Sequence, residues 1–158
     1  MKAIAVLLVA ALVLFAGTTR LTGSAAAVTV PDTSSSASAS LITANDLKPS
    51  ICGGIALTGL VSGAGVINGT AANELIIGSS GADTITGGGG DDCILGGGGI
   101  DNIDGEAGAD VLDGGPGDDT VIGGTEVDTL YGGADTDTCT GGGDGDNFPA
   151  GDCETQNP

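Results

Sequence analysis

The chain has 158 residues, room for one domain with extensions, and a formal charge of −18 from 21 Asp and Glu against three Lys and Arg and no His. No basic residue lies between Pro49 and Pro158, so the chain cannot displace counterions from a polynucleotide, and a nucleic-acid partner is excluded. Phe15, Tyr131 and Phe148 are the only aromatic residues beside 32 glycines, which excludes a core built on large rings.

The chain opens with Lys2, a fourteen-residue apolar run from Ala3 to Ala16, and a small-residue stretch ending Ser24-Ala25-Ala26-Ala27. This pattern predicts a secretory signal over residues 1–27, cleaved after Ala26 or Ala27. The alternative is an uncleaved anchor, for which fourteen residues are short of the ~20 that a spanning helix needs. Arg20, between the apolar run and the cleavage site, is atypical of a signal. Residues 28–50, rich in Ser, Ala and Thr, show neither helical nor strand period and read as a linker. Secretion places Cys52, Cys93, Cys139 and Cys153 in an oxidising compartment, where an even count predicts disulfides with three possible pairings. After cleavage no membrane contact is expected.

From Gly69 to Pro149 the chain divides without insertion into nine nonapeptides, beginning GTAANELII, GSSGADTIT, GGGGDDCIL and GGGGIDNID. Position one is always Gly. Position six is Glu74, then Asp83, Asp92, Asp101, Asp110, Asp119, Asp128, Asp137 and Asp146. Position eight is Ile76, Ile85, Ile94, Ile103, Leu112, Val121, Leu130, Cys139 and Phe148. Low-complexity disorder would not hold three columns in register over 81 residues. Glycines in the first five positions suit a tight turn with φ > 0. Positions seven to nine then form a short strand with position eight facing inward and its neighbours outward. Position six sits where turn meets strand, with its carboxylate directed back into the turn.

These columns closely resemble the haemolysin-type RTX calcium-binding repeat, G-G-x-G-x-D-x-U-x. The resemblance implies an all-β fold, a right-handed parallel β-roll (a repeat solenoid) of nine nonapeptides with short terminal caps, in which two nonapeptides make one coil. It further implies calcium between successive turns on the same side. Carried over by position, the metal carboxylates are Asp83, Asp92, Asp101, Asp110, Asp119, Asp128, Asp137 and Asp146, with Glu74 a longer-armed departure, and turn carbonyls complete an oxygen shell. Five odd turns and four even ones leave room for up to seven calcium ions. Their charge nearly balances the 17 acids of the repeat region. Glu126, Asp135 and Asp144 replace Gly at position four, and Glu126 puts its own turn in most doubt.

Outward residues of the odd repeats, Leu75, Ile77, Cys93 and Leu95, make an apolar face that needs a cover. The apolar stretch within residues 51–68 either caps that face, with Cys52 reaching Cys93, or continues the roll as degenerate coils. The tail, 150–158, breaks the repeat; the short separation of Cys139 and Cys153 favours a bond that ties down the last coil. The favoured pairs are therefore Cys139–Cys153 and Cys52–Cys93.

An enzyme is not expected, since a chain without His has neither an H-E-x-x-H site nor a Ser-His-Asp triad. The Thr and Asn array of calcium-dependent ice-binding rolls is absent from positions three and five, and a signal peptide argues against the one-step export common among RTX proteins. The expected function is a secreted calcium-binding repeat protein that folds on binding calcium, acting as a structural or interaction module. The alternative is an accessory module of a secreted RTX-type hydrolase or toxin system. The sequence does not specify a protein or cell-surface partner.

Overall fold

The computed structural model describes residues 42–149 and 152–157. The expected signal, 1–27, and most of the linker lie outside the described residues. A four-residue helix α1 (Ala44–Leu47) and a 3-10 turn (Ser50–Cys52) precede eleven strands. These are β1 (Gly59–Ser62), β2 (Val66–Asn68), β3 (Glu74–Ile77), β4 (Thr84–Gly89), β5 (Cys93–Leu95), β6 (Asn102–Ala107), β7 (Val111–Pro116), β8 (Thr120–Thr125), β9 (Thr129–Ala134), β10 (Thr138–Thr140) and β11 (Thr155–Asn157).

Alternate strands build two parallel sheets, one in the order β1-β3-β5-β7-β9 and the other β2-β4-β6-β8-β10-β11. The chain is thus a parallel β-solenoid, and each coil places one strand in each sheet. Within the repeats the register advances by two nonapeptides, as in Ile94 beside Leu112 and Ile103 beside Val121. Strands alternate their side chains, so each of β2 to β10 contributes one apolar residue to the interior. Ile67, Ile76, Ile85, Ile94, Ile103, Leu112, Val121, Leu130 and Cys139 form a continuous buried column between the sheets, with Cys153 at its end and Phe148 packed against it.

The central strands are longer than expected. Strands β4, β6, β7, β8 and β9 each have six residues, positions seven to nine plus the first three of the next repeat. The ladder continues because turn glycines still exchange backbone hydrogen bonds with the neighbouring coil, for example Gly89 N–H of β4 to Thr70 C=O at 2.8 Å and Gly124 N–H of β8 to Gly141 C=O at 2.9 Å.

Residues 44–68 perform two tasks. Strands β1 and β2 add a coil, but β1 meets β3 with Val61 opposite Ile76, while β2 meets β4 with Ile67 opposite Ile85. The connection between Val61 and Ile67 is three residues shorter than in a repeat, so nonapeptide phase fails there. Upstream, Cys52, Ile55 and Leu57 cover the apolar face, burying Leu75 and Cys93. Asn45 pins this cover by accepting the Leu57 N–H at 2.9 Å and donating to the Leu57 carbonyl. Lys48 donates to the Ile55 carbonyl at 2.6 Å, and a Cys52–Cys93 disulfide fixes the cover to β5. The short α1 falls within the stretch read as linker; one turn of helix carries no periodicity to find.

At the other end Cys139 bonds Cys153, and β11 lies parallel to β10 with Thr155 opposite Thr138. The tail therefore extends the six-stranded sheet.

Candidate metal sites

Every residue of the position-six column stands at a turn-to-strand junction, and the stacking of coils brings alternate members together. Asp83, Asp101, Asp119 and Asp137 line one edge of the solenoid; Glu74, Asp92, Asp110, Asp128 and Asp146 line the other. Within each row the Oδ1 of one aspartate accepts the backbone N–H of the member one coil earlier, at 2.7 to 3.0 Å. A short polar side chain at this place thus replaces the backbone carbonyl that would otherwise continue the ladder.

The second carboxylate oxygen has a different environment. Asp83 Oδ2 accepts the Ser79 N–H and Glu74 Oε2 the Thr70 N–H, both at 2.6 Å. In the seven later members, Asp92 to Asp146, Oδ2 is buried with no hydrogen-bond partner. Asp92 to Asp137 are at most 2% exposed; Asp146 is half-buried. Buried carboxylate oxygens are normally paired, because an unpaired one forfeits its hydration without replacement. Seven in register constitute a built feature that calls for a cation.

Protonation equilibria carry the same strain. In the metal-free protein, burial pushes the Asp110 carboxyl up to about 8 and Asp92 up to about 7. Asp119 and Asp128 rise to about 6 for the same reason. In each the N–H bond from the preceding coil opposes the rise, and neighbouring carboxylates add to it. Asp101 and Asp137 are also raised, chiefly by burial.

Position one shows why the turn must be glycine. A Cβ on Gly114 would fall closer than 3.0 Å to both Asp119 Oδ2 and the Gly132 carbonyl of the next coil. The orphaned oxygen and a backbone carbonyl from the adjacent coil therefore border one small space. Position four uses the other property of glycine, positive φ, at Gly90, Gly99, Gly108 and Gly117. Glu126 (φ 78°) and Asp135 (φ 87°) hold the same conformation, as does Glu106 (φ 69°) at position two. The turn at Glu126, expected to be the most doubtful, keeps the form of its neighbours.

Among the described residues no group of three metal-ligating side chains converges on a point. Any ion here would combine one or two carboxylates with turn carbonyls, an all-oxygen set suited to a hard cation such as calcium. Two features escaped the sequence. Glu154 continues the row after Asp137, accepting its N–H at 2.6 Å. On the outside of the turns, Asp91 and Asp118 accept the N–H groups of Ala109 and Thr136, one coil away. Glu154 lies 17 residues from Asp137 and is not an aspartate, so no repeat search would select it.

A parallel solenoid with buried, partner-less carboxylates at seven successive turns defines a cation-binding repeat protein as a class. The family of that class is given by comparison: residues 68–103, 95–126 and 113–148 match the RTX calcium-binding nonapeptide repeat (4 copies), over about half the chain. The chain belongs to this family. Neither the curated proteins nor the solved structures contain a match to it.

Proposed function

We propose that the chain is a secreted protein whose repeat region folds on binding several calcium ions and then serves as a rigid structural or interaction module. The supporting observation is the set of seven buried Oδ2 atoms without partners. Asp83, Asp92, Asp101, Asp110, Asp119, Asp128, Asp137 and Asp146 would hold the ions together with turn carbonyls, and Glu74 would take part at the first odd turn. Calcium would supply positive charge to a region with 17 acids and no base, and its binding free energy would become folding free energy. The residues do the remaining work. Oδ1 fixes each carboxylate to the coil below, and position-one glycine leaves room for Oδ2.

Secretion is supported by the signal-like start and by two disulfides, which persist in oxidising compartments. No helix among the described residues is long and apolar enough to cross a membrane. An extracellular setting, where calcium is abundant and steady, asks for affinities only in the ~0.1–1 mM range.

Far-ultraviolet circular dichroism of the signal-free chain, in chelator and in millimolar calcium at neutral pH, tests the reading. The expected result is a disordered spectrum in chelator that becomes strand-like as calcium is added. A strand spectrum indifferent to chelator would overturn it.

A further inference from the structure

The nonapeptide run ends at Pro149, yet the row of Asp83, Asp101, Asp119 and Asp137 does not end with its last repeat aspartate. Asp137 donates its N–H to Glu154 Oε2, as each earlier member donates to the next aspartate. A Cβ on Gly132 would be closer than 3.0 Å to Asp137 Oδ2 and to the Asp152 carbonyl. In the preceding coils those two places are held by an aspartate Oδ2 and a position-one glycine carbonyl, namely Asp101 and Gly114 at Gly96, then Asp119 and Gly132 at Gly114. Asp137 is fully buried, and its Oδ2 has no partner.

Asp152 and Glu154 thus reproduce both parts of a repeat turn without its sequence. Their offsets from Gly132 and Asp137, 20 and 17 residues, differ from each other and from the regular 18. Cys153 sits between them and is bonded to Cys139 at the end of the core column. That bond, with β11 beside β10, brings the two acidic residues into place. The opposite row offers the contrast. Asp146 ends it with an orphaned Oδ2, and the three atoms nearest to a Cβ on Gly141 all belong to Asp146 itself.

We propose that Asp152 and Glu154 close a further calcium site with Asp137, outside the nonapeptide pattern, and that this site exists only while the Cys139–Cys153 bond is intact. The proposal rests on reading the aspartate column as the ion ladder. It adds one gap to the seven between repeat carboxylates, four in the row from Glu74 to Asp146 and three in the row from Asp83 to Asp137. Cutting the disulfide releases Asp152 and Glu154 together, so an oxidised and a reduced chain would differ by one ion.

Native mass spectrometry of the full chain in saturating calcium counts the ions. Relative to the unaltered chain, Glu154→Gln should carry one fewer, Cys139→Ala/Cys153→Ala should show the same loss, and Asp104→Asn, outside the ladder, should show none. Asp119→Asn, in the middle of the row, separates this proposal from the reading beneath it. If Asp119→Asn lowers the count and Glu154→Gln does not, the terminal site is wrong and the ladder stands. If neither lowers it, the ladder reading fails, and this proposal with it. Should Glu154→Gln fail to fold, the cysteine pair decides: one ion fewer supports the site, and an unchanged count overturns it.

Discussion

A Cβ on Gly96 would lie closer than 3.0 Å to Asp101 Oδ2 and to the Gly114 carbonyl, whereas one on Gly98 would meet nothing nearer than 3.8 Å. Two glycines in one turn therefore answer to different constraints. Gly96→Ala should destabilise the calcium-bound roll by about 1–3 kcal/mol, as overpacking does. Gly98 does not have positive φ, so Gly98→Ala should be neutral or stabilise by ~0.4–1 kcal/mol through the unfolded chain. Thermal melts in calcium separate these outcomes, and similar melting temperatures for the two variants would refute the close-approach argument. Asp101 and Asp104 form a second such pair. Asp101→Ala takes away an orphaned oxygen and the acceptor of the Asp83 N–H; calorimetry should find one or two fewer ions and weaker folding. Asp104, at an outward position, caps only the Glu106 N–H, and its alanine variant should bind as the parent does. The aspartate and inward columns were legible because each repeats one chemical demand at one spacing. Glu106, Glu126 and Asp135 were harder to read, since left-handed conformations at non-glycine residues are imposed by the coils on either side rather than by local preference.

At the scale of elements, the five-stranded sheet had to be covered, and the sequence left two uses open for the apolar stretch upstream of the repeats. The structure employs it for both, with residues 44–57 as cover and 59–68 as an extra coil. Hydrophobicity announced the segment, but the shortened connection before β2 removed the phase that would have divided it. The disulfide partners were inferable from the apolar face and from the short 139–153 separation. The pairing of β11 was not, because its register on β10 is one residue short of the repeat. The Cys52–Cys93 bond closes a loop across 41 residues of separation, so it should contribute about 2–4 kcal/mol. Cys52→Ala/Cys93→Ala should lower the melting temperature in calcium and increase binding of a hydrophobic dye as Leu75, Ile77 and Leu95 lose their cover. The count of bound calcium should remain near that of the parent, since the cover touches the outer face and not the turns. A melting temperature equal to the parent's would mean that Asn45 and Lys48 hold the cover without help.

For the whole molecule, the central question is what replaces positive charge when calcium is absent. Protons are the other available cations. Asp92 and Asp110, raised to about 7 and about 8, and Asp119 and Asp128, raised to about 6, bind protons more tightly in the folded chain than the ordinary value of 3.8 allows. A raised folded-state value means that the folded form holds more protons than the unfolded form throughout the interval between the two values. The stability contributed by these groups is therefore full below about pH 4 and is lost as pH rises through about 6 to 8. Without calcium, the roll should be best folded in acid and should unfold toward neutral and alkaline pH. This reverses the usual acid denaturation, in which native carboxylates are ionised and paired. Calcium must displace the same protons, so its apparent affinity should climb across that window and each binding event should release protons. Circular dichroism in chelator at pH 4 and pH 8 checks the first part. Calcium titration in two buffers of different ionisation enthalpy checks the second, because released protons add a buffer-dependent heat. Equal strand content at both pH values, together with buffer-independent heats, would show that the orphaned carboxylates are ionised in the empty roll. Their burial would then have to be relieved by something other than protons or calcium.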